Sequence, residues 1–368
     1  TNLVEFYDGG AWRDLQSENI PPTPSEHFNI VTWTGNGTSQ SITGVGFQPD
    51  WVWGKERSNT SSNELLDTTR GATNYISTNL SNAQGTSGQG LQSFDADGFT
   101  VGNDGAWNQN GETYVAWCWK ANAGTTSSNT DGSITSTVQA NTKAGFSILS
   151  YTGTGANATV GHGLGVAPEF VIVKKTSAAQ NWMVGATVVG WTKYLELNLT
   201  NAAATASTTW NNTAPTATTV SLGSSNNGNQ SGQTYIMYAF HSVAGYSKIG
   251  SYTGNGSTNG PMVVTGFEPA YIMIKNSTAI YEWTVYDNKR STSNPRDEVL
   301  YPNTSGAENS GETGDIDFLS NGFQLKAASG SINQNGGTLI YLAFASDPSA
   351  APVLADSFNT TTYTGSPL

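Results

Sequence analysis

Short apolar runs and polar turn clusters alternate along the whole chain. The runs are rich in Val, Ile, Thr and aromatic residues, and clusters of Gly, Asn and Ser separate them, which is typical of β-strands joined by tight turns. Asp97-Gly98-Phe99 and Asn321-Gly322-Phe323 each place a turn dipeptide directly before an aromatic residue. The best helical candidate is the short stretch 63–69. The pattern therefore predicts an all-β protein.

Three copies of one longer pattern divide the chain. Each copy opens with an aromatic residue followed by Thr-Gly-x-Gly, continues with Gly-x-x-Pro-x-aromatic, and reaches a Lys six positions after the Pro. The first Gly of the opening motif precedes the Pro by 14, 15 and 15 positions, so the spacing agrees as well as the residues. The matching residues are Gly35, Pro49 and Lys55; Gly153, Pro168 and Lys174; and Gly254, Pro269 and Lys275.

The repeated pattern predicts three homologous units at residues 28–122, 146–243 and 246–347. Roughly seven or eight short strands in such a length are typical of a β-sandwich or jelly roll. We therefore expect three tandem sandwiches in a row, with Trp51, Phe170 and Tyr271 at equivalent core positions. Residues 123–145, rich in Ser, Thr, Asn and Gly, form the expected linker between the first two units.

The head of the chain, residues 1–27, reads as one hairpin followed by a Pro-rich anchor segment. Two strands alone are marginal in water, and Phe6, Tyr7 and Trp12 supply apolar rings that need cover. We expect these three residues to dock on another chain of a larger particle.

The tail of the chain, residues 348–368, repeats part of the opening motif from Phe358 to Gly365. This stretch predicts a first strand without a unit of its own. We expect it to pair with a neighbouring sheet.

Composition narrows the class of protein. The 27 acidic and 15 basic residues give a formal net charge of −12, which opposes binding to a phosphate backbone, so we expect no nucleic-acid partner. No apolar run is long enough to cross a bilayer, and we expect no membrane insertion. Cys118, the single cysteine, stands in an apolar run and is expected to pack in a core.

Candidate chemistry is sparse. The three histidines, His27, His162 and His241, have no Cys or second His at metal-ligand spacing, and we expect solvated loop positions for them. The acidic pairs Asp95/Asp97 and Asp315/Asp317 lack further ligands for Ca²⁺ in sequence, so they are read as turn residues. We expect no catalytic residues, no metal and no cofactor.

The lysines that end each copy, Lys55, Lys174 and Lys275, are expected to be solvated strand ends rather than catalytic bases. Trp182 and Trp283 follow two of them by eight positions, where the first unit has Asn63. Core packing is the favoured interpretation of both tryptophans, and contact with a glycan or receptor is the alternative.

The combined motifs, with Asp67-Thr-Thr-Arg70-Gly-Ala added, resemble the tandem repeat of tail-fibre-like virion proteins of marine bacteriophages of the cyanophage type. The resemblance covers about 28–347. It implies a structural or adhesive protein on the virion surface, a tail fibre or a capsid-decorating knob. The implied partners are other virion proteins, further copies in a symmetric assembly, and a host-surface glycan. The second and third units depart from the Asp-Thr-Thr-Arg-Gly stretch.

Two other functions remain open from the sequence. An array of carbohydrate-binding modules would gain avidity from repeated weak sites, and a bacterial surface adhesin would share the same composition. Exposure of the repeat-equivalent tryptophans would favour the carbohydrate-binding array.

Overall fold

A computed structural model describes residues 5–7, 12–14, 21–310 and 314–347, and the strands it contains pair antiparallel throughout. The predicted all-β class is confirmed. In the head segment, β1 (Glu5–Tyr7) pairs with β2 (Trp12–Asp14). The side chains of Phe6, Tyr7 and Trp12, and the whole tail from residue 348, lie outside the described residues.

The first unit builds a six-stranded sheet and a three-stranded sheet. A short 3₁₀-helix, Pro24–Glu26, leads into it. The six-stranded sheet has the order β3-β11-β5-β6-β7-β8, and the three-stranded sheet has the order β4-β10-β9. The elements are β3 (Phe28–Thr34), β4 (Gln40–Thr43), β5 (Trp51–Glu56), β6 (Glu64–Asp67), β7 (Asn74–Ser77), β8 (Gly85–Thr86), β9 (Leu91–Asp95), β10 (Gly98–Val101), α1 (Gly105–Asn108) and β11 (Thr113–Trp119).

The second unit forms an eight-stranded sheet, and the linker supplies its first two strands. The order is β12-β13-β14-β21-β16-β17-β18-β19, with β15-β20 as a separate pair. The elements are β12 (Ser127–Asn129), β13 (Ser136–Asn141), β14 (Phe146–Thr152), β15 (Ala158–Gly161), β16 (Phe170–Lys175), β17 (Met183–Ala186), β18 (Lys193–Glu196), β19 (Ala204–Thr205), α2 (Ser207–Trp210), β20 (Thr219–Leu222), α3 (Asn226–Asn229) and β21 (Thr234–Phe240).

The third unit has a four-stranded sheet, β22-β30-β24-β25, a three-stranded sheet, β23-β29-β28, and the pair β26-β27. A bridge between Val285 and Leu300 joins β25 to the chain after β26. The elements are β22 (Ser247–Thr253), β23 (Met262–Val264), β24 (Pro269–Asn276), β25 (Trp283–Asp287), β26 (Glu298–Val299), β27 (Asn309–Ser310), β28 (Ile316–Leu319), β29 (Gly322–Leu325), α4 (Gly330–Asn333) and β30 (Thr338–Ala345).

Each unit buries an apolar cluster of its own, and a further cluster joins all three units. Strand alternation separates the two kinds of cluster, because successive side chains point to opposite faces of a sheet. On β11, Ala116 and Cys118 face the first unit's own cluster, whereas Trp117 and Trp119 face the shared one. The shared cluster also holds large side chains of the other two units, including Phe146, Phe170, Tyr238, Phe240, Tyr271, Trp283 and Phe344.

The shared cluster draws its side chains from all three predicted units, so these parts of the chain pack around a common core. Trp51, Phe170 and Tyr271 all lie in that core, as predicted. Trp51 stacks on Tyr238 at 4.8 Å between ring centroids, and Phe28 stacks on Phe344 at 5.0 Å, so aromatic contacts cross the boundaries between units.

Two smaller predictions have opposite outcomes. Cys118 is buried, as expected, and burial raises the pKa of its thiol well above the ordinary range. The helical candidate 63–69 is wrong, because Glu64–Asp67 is strand β6 and pairs with β5. Leu65 and Leu66 are both buried, one on each face of the sheet, which a strand with two covered faces requires.

Candidate functional site: the contacts between units

The lysine that ends each copy of the repeated pattern is buried, so the expectation of solvated strand ends is wrong. Each ammonium donates to backbone carbonyls of its own unit and of a neighbouring unit. Lys174 Nζ lies 3.0 Å from Ser81 O of the first unit and 2.7 Å from Gln180 O. Lys275 Nζ lies 2.9 Å from Thr200 O of the second unit.

Lys55 makes the third such contact, with a unit that follows it in the chain rather than one that precedes it. Its Nζ lies 2.6 Å from Glu56 O and 3.4 Å from Ser305 O of the third unit. Unit two therefore contacts unit one, unit three contacts unit two, and unit one contacts unit three. Each of these contacts joins two different surfaces. Contacts of this head-to-tail kind form a closed ring when the rotations between successive units add up to a full turn.

Backbone hydrogen bonds repeat at the same places. The residue six positions after each lysine donates its N–H to the carbonyl that the lysine binds: Gln180 to Ser81 at 2.7 Å, Tyr281 to Thr200 at 3.1 Å, and Ser61 to Ser305 at 2.9 Å. A second backbone hydrogen bond runs in the opposite direction between the same two units. Its donor is the N–H three residues after the carbonyl that the lysine binds, and its acceptor is the carbonyl two residues after the lysine. The pairs are Gln84 to Thr176, Ala203 to Ser277, and Glu308 to Arg57. We call each such set of contacts a lysine clamp.

Removal from water shifts the titration of these ammonium groups. Burial lowers the pKa of Lys174 to about 7 and the pKa values of Lys55 and Lys275 to about 8. In the case of Lys174, the neighbouring Lys175 lowers the pKa further. The clamps thus hold amines whose charge changes near neutral pH.

The position eight residues after each lysine also contacts the neighbouring unit. Trp182 Nε1 donates to Ser77 O at 3.1 Å, and Trp283 Nε1 donates to Glu196 O at 3.0 Å. Both rings are buried in the shared core, so neither presents a face on which a sugar could stack. Asn63 Nδ2 takes the equivalent place and donates to Thr304 O at 2.7 Å.

A second set of contacts reaches from the last strands of the first and second units, β11 and β21, to an acidic residue of a neighbouring unit. Tyr238 donates its hydroxyl hydrogen to Asp67 Oδ2 at 2.7 Å, and Trp117 Nε1 donates to Asp287 Oδ2 at 2.9 Å. The corresponding positions, Leu342 and Ala186, are both apolar and both lie in the shared core. A polar donor therefore occurs only where the matching position holds a carboxylate.

Both carboxylates are held by an arginine three positions later. Arg70 Nε lies 2.6 Å from Asp67 Oδ2, and Arg290 Nε lies 2.5 Å from Asp287 Oδ2. Burial alone would raise the pKa of Asp287, but the charge of Arg290 and its hydrogen bonds keep that pKa below its ordinary value. The third unit thus keeps the Asp and Arg of the Asp67-Thr-Thr-Arg70 stretch, a likeness visible in sequence as Asp-x-x-Arg.

Charged residues concentrate between the first and third units, which do not follow one another directly in the chain. Arg57 contacts Glu308 at 2.7 Å and Glu298 at 3.1 Å. Arg290 contacts Glu308 Oε2 at 2.7 Å. A shared, partly buried carboxylate between two guanidinium groups favours one relative placement of the two units.

The other candidate residues are used within the fold. His162 is buried rather than solvated, since Nδ1 accepts from Leu164 N and Nε2 faces Thr216 O, and burial lowers its pKa. His241 is buried as well. Asp97 accepts from the N–H groups of Gly44 and Gly46 in a turn.

Two findings concern membranes and metals. Among the described residues, none of the helices has the length and apolar character that a membrane span needs. Within the same part of the chain, no three His, Cys, Asp or Glu side chains come together in a group that could hold a metal ion.

The chain matches one protein family over residues 23–348, a span that includes all three units. That family is described as a domain of unknown function, DUF7483. Because the match covers most of the 368 residues, the chain belongs to this family. No curated protein matches the sequence.

Proposed function

We propose that the chain is a structural and adhesive protein of a bacteriophage virion, a tail fibre or a capsid-decorating knob, built as a closed ring of three repeats. The proposed repeats are residues 28–122, 146–243 and 246–347. The corresponding sheet orders β3-β11-β5-β6, β14-β21-β16-β17 and β22-β30-β24-β25 support this layout. The three lysine clamps support it further, because their contacts fall at equivalent positions.

One observation carries the structural role. The side chains most suited to chemistry, namely the three lysines and the Asp/Arg pairs, are consumed in holding the units together. A general base or nucleophile has to reach a substrate, and these groups face backbone carbonyls and each other. A rigid scaffold is the use that this arrangement serves best.

The assignment of the chain to a virion rests on its resemblance to tail-fibre-like virion proteins. The low share of charged residues, 11%, fits a protein exposed to seawater, because little of its surface stability depends on ion pairs that salt would screen. The carbohydrate-binding array is less favoured, since it requires exposed repeat-equivalent aromatic rings and Trp182 and Trp283 are buried.

The proposal is tested on purified particles of the phage that encodes the chain. Mass spectrometry should detect the chain in density-purified virions, and gold-labelled antibody raised against residues 21–347 should mark one fixed site per symmetry unit. The control is the same preparation from which the labelled chain has been deleted genetically. Absence of the chain from intact virions would contradict the proposal.

The docking role of the head segment has a separate test. A variant lacking residues 1–24 should remain folded and soluble but be lost from the particle. A matched variant in which only Phe6, Tyr7 and Trp12 are changed to Ser should behave in the same way if those rings make the contact. Full incorporation of both variants would show that docking uses another surface.

A further inference from the structure

An open cleft of about 290 Å³ lies where the first unit meets the third. Its apolar lining includes Phe28 and Ile30 of β3 and Ala270 of β24. Asn288 and Lys289, which directly follow β25, add polar groups from the third unit. A cleft of this size, with apolar lining and a few polar groups, is typical of a site for one small ligand.

Two polar groups of this cleft have no partner among the described residues. Asn288 Oδ1 is buried and accepts no hydrogen bond. The ammonium group of Lys289 forms no ion pair, although the carboxylate of Asp347 lines the same cleft. A buried acceptor without a donor costs free energy, so a ligand that brings an N–H group to Asn288 recovers that free energy on binding.

The same place exists in the other two units, because one backbone hydrogen bond recurs there. In each unit, the N–H at the position of Asn288 donates to the carbonyl at the position of Ala270. The donor and acceptor residues are Asn288 and Ala270 at 2.9 Å, Thr68 and Asp50 at 2.9 Å, and Thr187 and Glu169 at 2.8 Å. The first two units therefore hold a carboxylate where the third has only a methyl group.

In the first two units, this carboxylate binds the loop that follows the last strand. Asp50 Oδ2 accepts from Ala121 N at 2.7 Å, and Glu169 Oε2 accepts from Ser242 N at 2.7 Å. The equivalent N–H in the third unit belongs to Ser346 and donates to a backbone carbonyl instead. The small side chain at position 270 thus leaves space for the cleft.

Between the first and second units, the linker places an amide side chain in the equivalent position. Gln139 of β13 is fully buried, and its Nε2 donates to Thr68 Oγ1 and Thr69 Oγ1 at 2.8 Å each. Thr68 and Thr69 are the equivalents of Asn288 and Lys289. The chain itself therefore shows that a carboxamide group suits this place.

The edge of β3 does not favour a strand of another protein as the source of that amide. Gln139 reaches its position because β13 pairs with β14, whereas β3, the equivalent of β14, lies at the edge of its sheet. On this edge, Ile30 N already donates to Asn29 Oδ1 at 2.9 Å. An added strand would have to break this hydrogen bond, and a small ligand would not.

We propose that this cleft binds the acetamido group of an N-acetylated amino sugar. The acetamido N–H donates to Asn288 Oδ1, and its carbonyl oxygen accepts from the ammonium group of Lys289. Its methyl group packs against Phe28 and Ala270, and Asp347 accepts from a sugar hydroxyl group. The inference deepens the adhesive role proposed above: the host-surface origin of the sugar rests on that role, but binding in solution does not.

Ligand-observed NMR on the full chain tests the choice of sugar. Saturation transfer to N-acetylglucosamine should be strongest at its acetamido methyl protons, and a titration gives the Kd. Glucose and unacetylated glucosamine should bind at least about tenfold more weakly, because they lack the amide that pairs with Asn288. Equal binding of the three sugars, or no binding of N-acetylglucosamine, would overturn the proposal.

Two substitutions test the position of the site. Ala270→Glu places in the cleft the side chain that the second unit holds there, and Asn288→Ala removes an acceptor that has no partner in the free protein. Both variants should therefore stay folded, and each should lose affinity by at least about tenfold. Lys193→Ala, at an exposed position of the second unit, is the control and should bind as the unmodified chain does. Unchanged affinity in both cleft variants would overturn the assignment.

A peptide with the sequence of residues 136–141 tests the other source of the amide. Tighter binding of this peptide than of N-acetylglucosamine, lost in Ala270→Glu, would assign the cleft to a partner protein and overturn the sugar. The virion role is measured separately on particles. Failure of the sugar to bind would leave that role intact, and absence of the chain from virions would not change binding in solution.

Discussion

Lys174 shows how a single buried amine couples the stability of this protein to pH. In the unfolded chain a lysine keeps its proton up to about pH 10.5, whereas burial lowers the pKa of folded Lys174 to about 7. Between these values the unfolded state binds more protons, so the free energy of unfolding rises with pH. Below about pH 7 both states are protonated, and this dependence disappears.

We predict that Lys174→Met weakens the rise in stability between pH 7 and pH 10. The increase in the free energy of unfolding from pH 7 to pH 10 should be smaller in the variant by about 1–3 kcal/mol, an order of magnitude that follows from the direction and size of the pKa shift. Thermal unfolding at several pH values measures it, with the exposed Lys193→Met as the matched control. An unchanged pH dependence in Lys174→Met would show that this amine stays protonated in the fold.

The sequence indicated that the three lysines are equivalent but not that they are buried. Their motif is local, and it placed each lysine at the end of a strand correctly. Their acceptors are not local: Ser81 precedes Lys174 by 93 residues, and Ser305 follows Lys55 by 250. A strand-end lysine is ordinarily solvated, and only the placement of another unit changes that.

At the scale of single elements, the turns explain why glycine recurs where it does. In Thr-Gly-x-Gly the second glycine has a positive φ in each copy, with values of 70°, 77° and 65° for Gly37, Gly155 and Gly256. The first glycine has another reason. A Cβ on Gly153 would lie 2.4 Å from Gln230 O, so the opening turn packs directly on the turn that follows α3.

One buried asparagine per unit holds these two turns together. Asn229 Oδ1 accepts from Thr154 N at 2.8 Å, and its Nδ2 donates to Gly223 O at 2.9 Å. Asn108 and Asn333 occupy the same place in the other units. The signal was present in sequence as Asn-Gln-x-Gly, whose Asn lies six residues before the aromatic or Leu position of the last strand, but it resembles an ordinary polar turn.

We predict that Asn229→Ala destabilises the protein by roughly 1–3 kcal/mol, because buried backbone groups lose their partners. Urea unfolding gives the free energy, and amide hydrogen exchange should become faster at residues 154–156. Asn226→Ala is the control, since Asn226 lies exposed on the same helical turn. Equal effects of the two substitutions would contradict a specific role of the buried amide.

At the scale of the whole molecule, side chains from all three predicted units pack into one shared core. Trp51, Trp117 and Trp119 face residues of the other units rather than a second sheet of their own. The sequence indicated three units, but the shared core depends on the angle at which they pack, and no local pattern encodes that angle.

We predict a single cooperative unfolding transition for residues 21–347, with equal calorimetric and van't Hoff enthalpies. Residues 28–122 expressed alone should expose the tryptophans of the shared core and therefore aggregate or self-associate. Scanning calorimetry and light scattering measure the two outcomes. Three separate transitions, or a soluble monomer of 28–122 with native near-ultraviolet circular dichroism, would show that the units fold independently.

The proposed closed ring also predicts tolerance of new chain ends. Ser25 N donates to Asp347 Oδ1 at 2.9 Å, so the two ends of the described globular part lie side by side. If non-covalent contacts hold the first and third units as firmly as the linker holds the first and second, the order of units along the chain should not matter.

We predict that joining residue 347 to residue 21 and opening the chain between Thr126 and Ser127, both exposed, leaves a folded monomer. Its thermal midpoint should fall by only a few degrees, because the change alters mainly loop closure entropy. The control opens the chain between Val171 and Ile172 inside β16 and should not fold. If the Thr126 permutant unfolds while residues 21–347 in native order stay folded, the covalent linker rather than the clamps would be what holds the ring together.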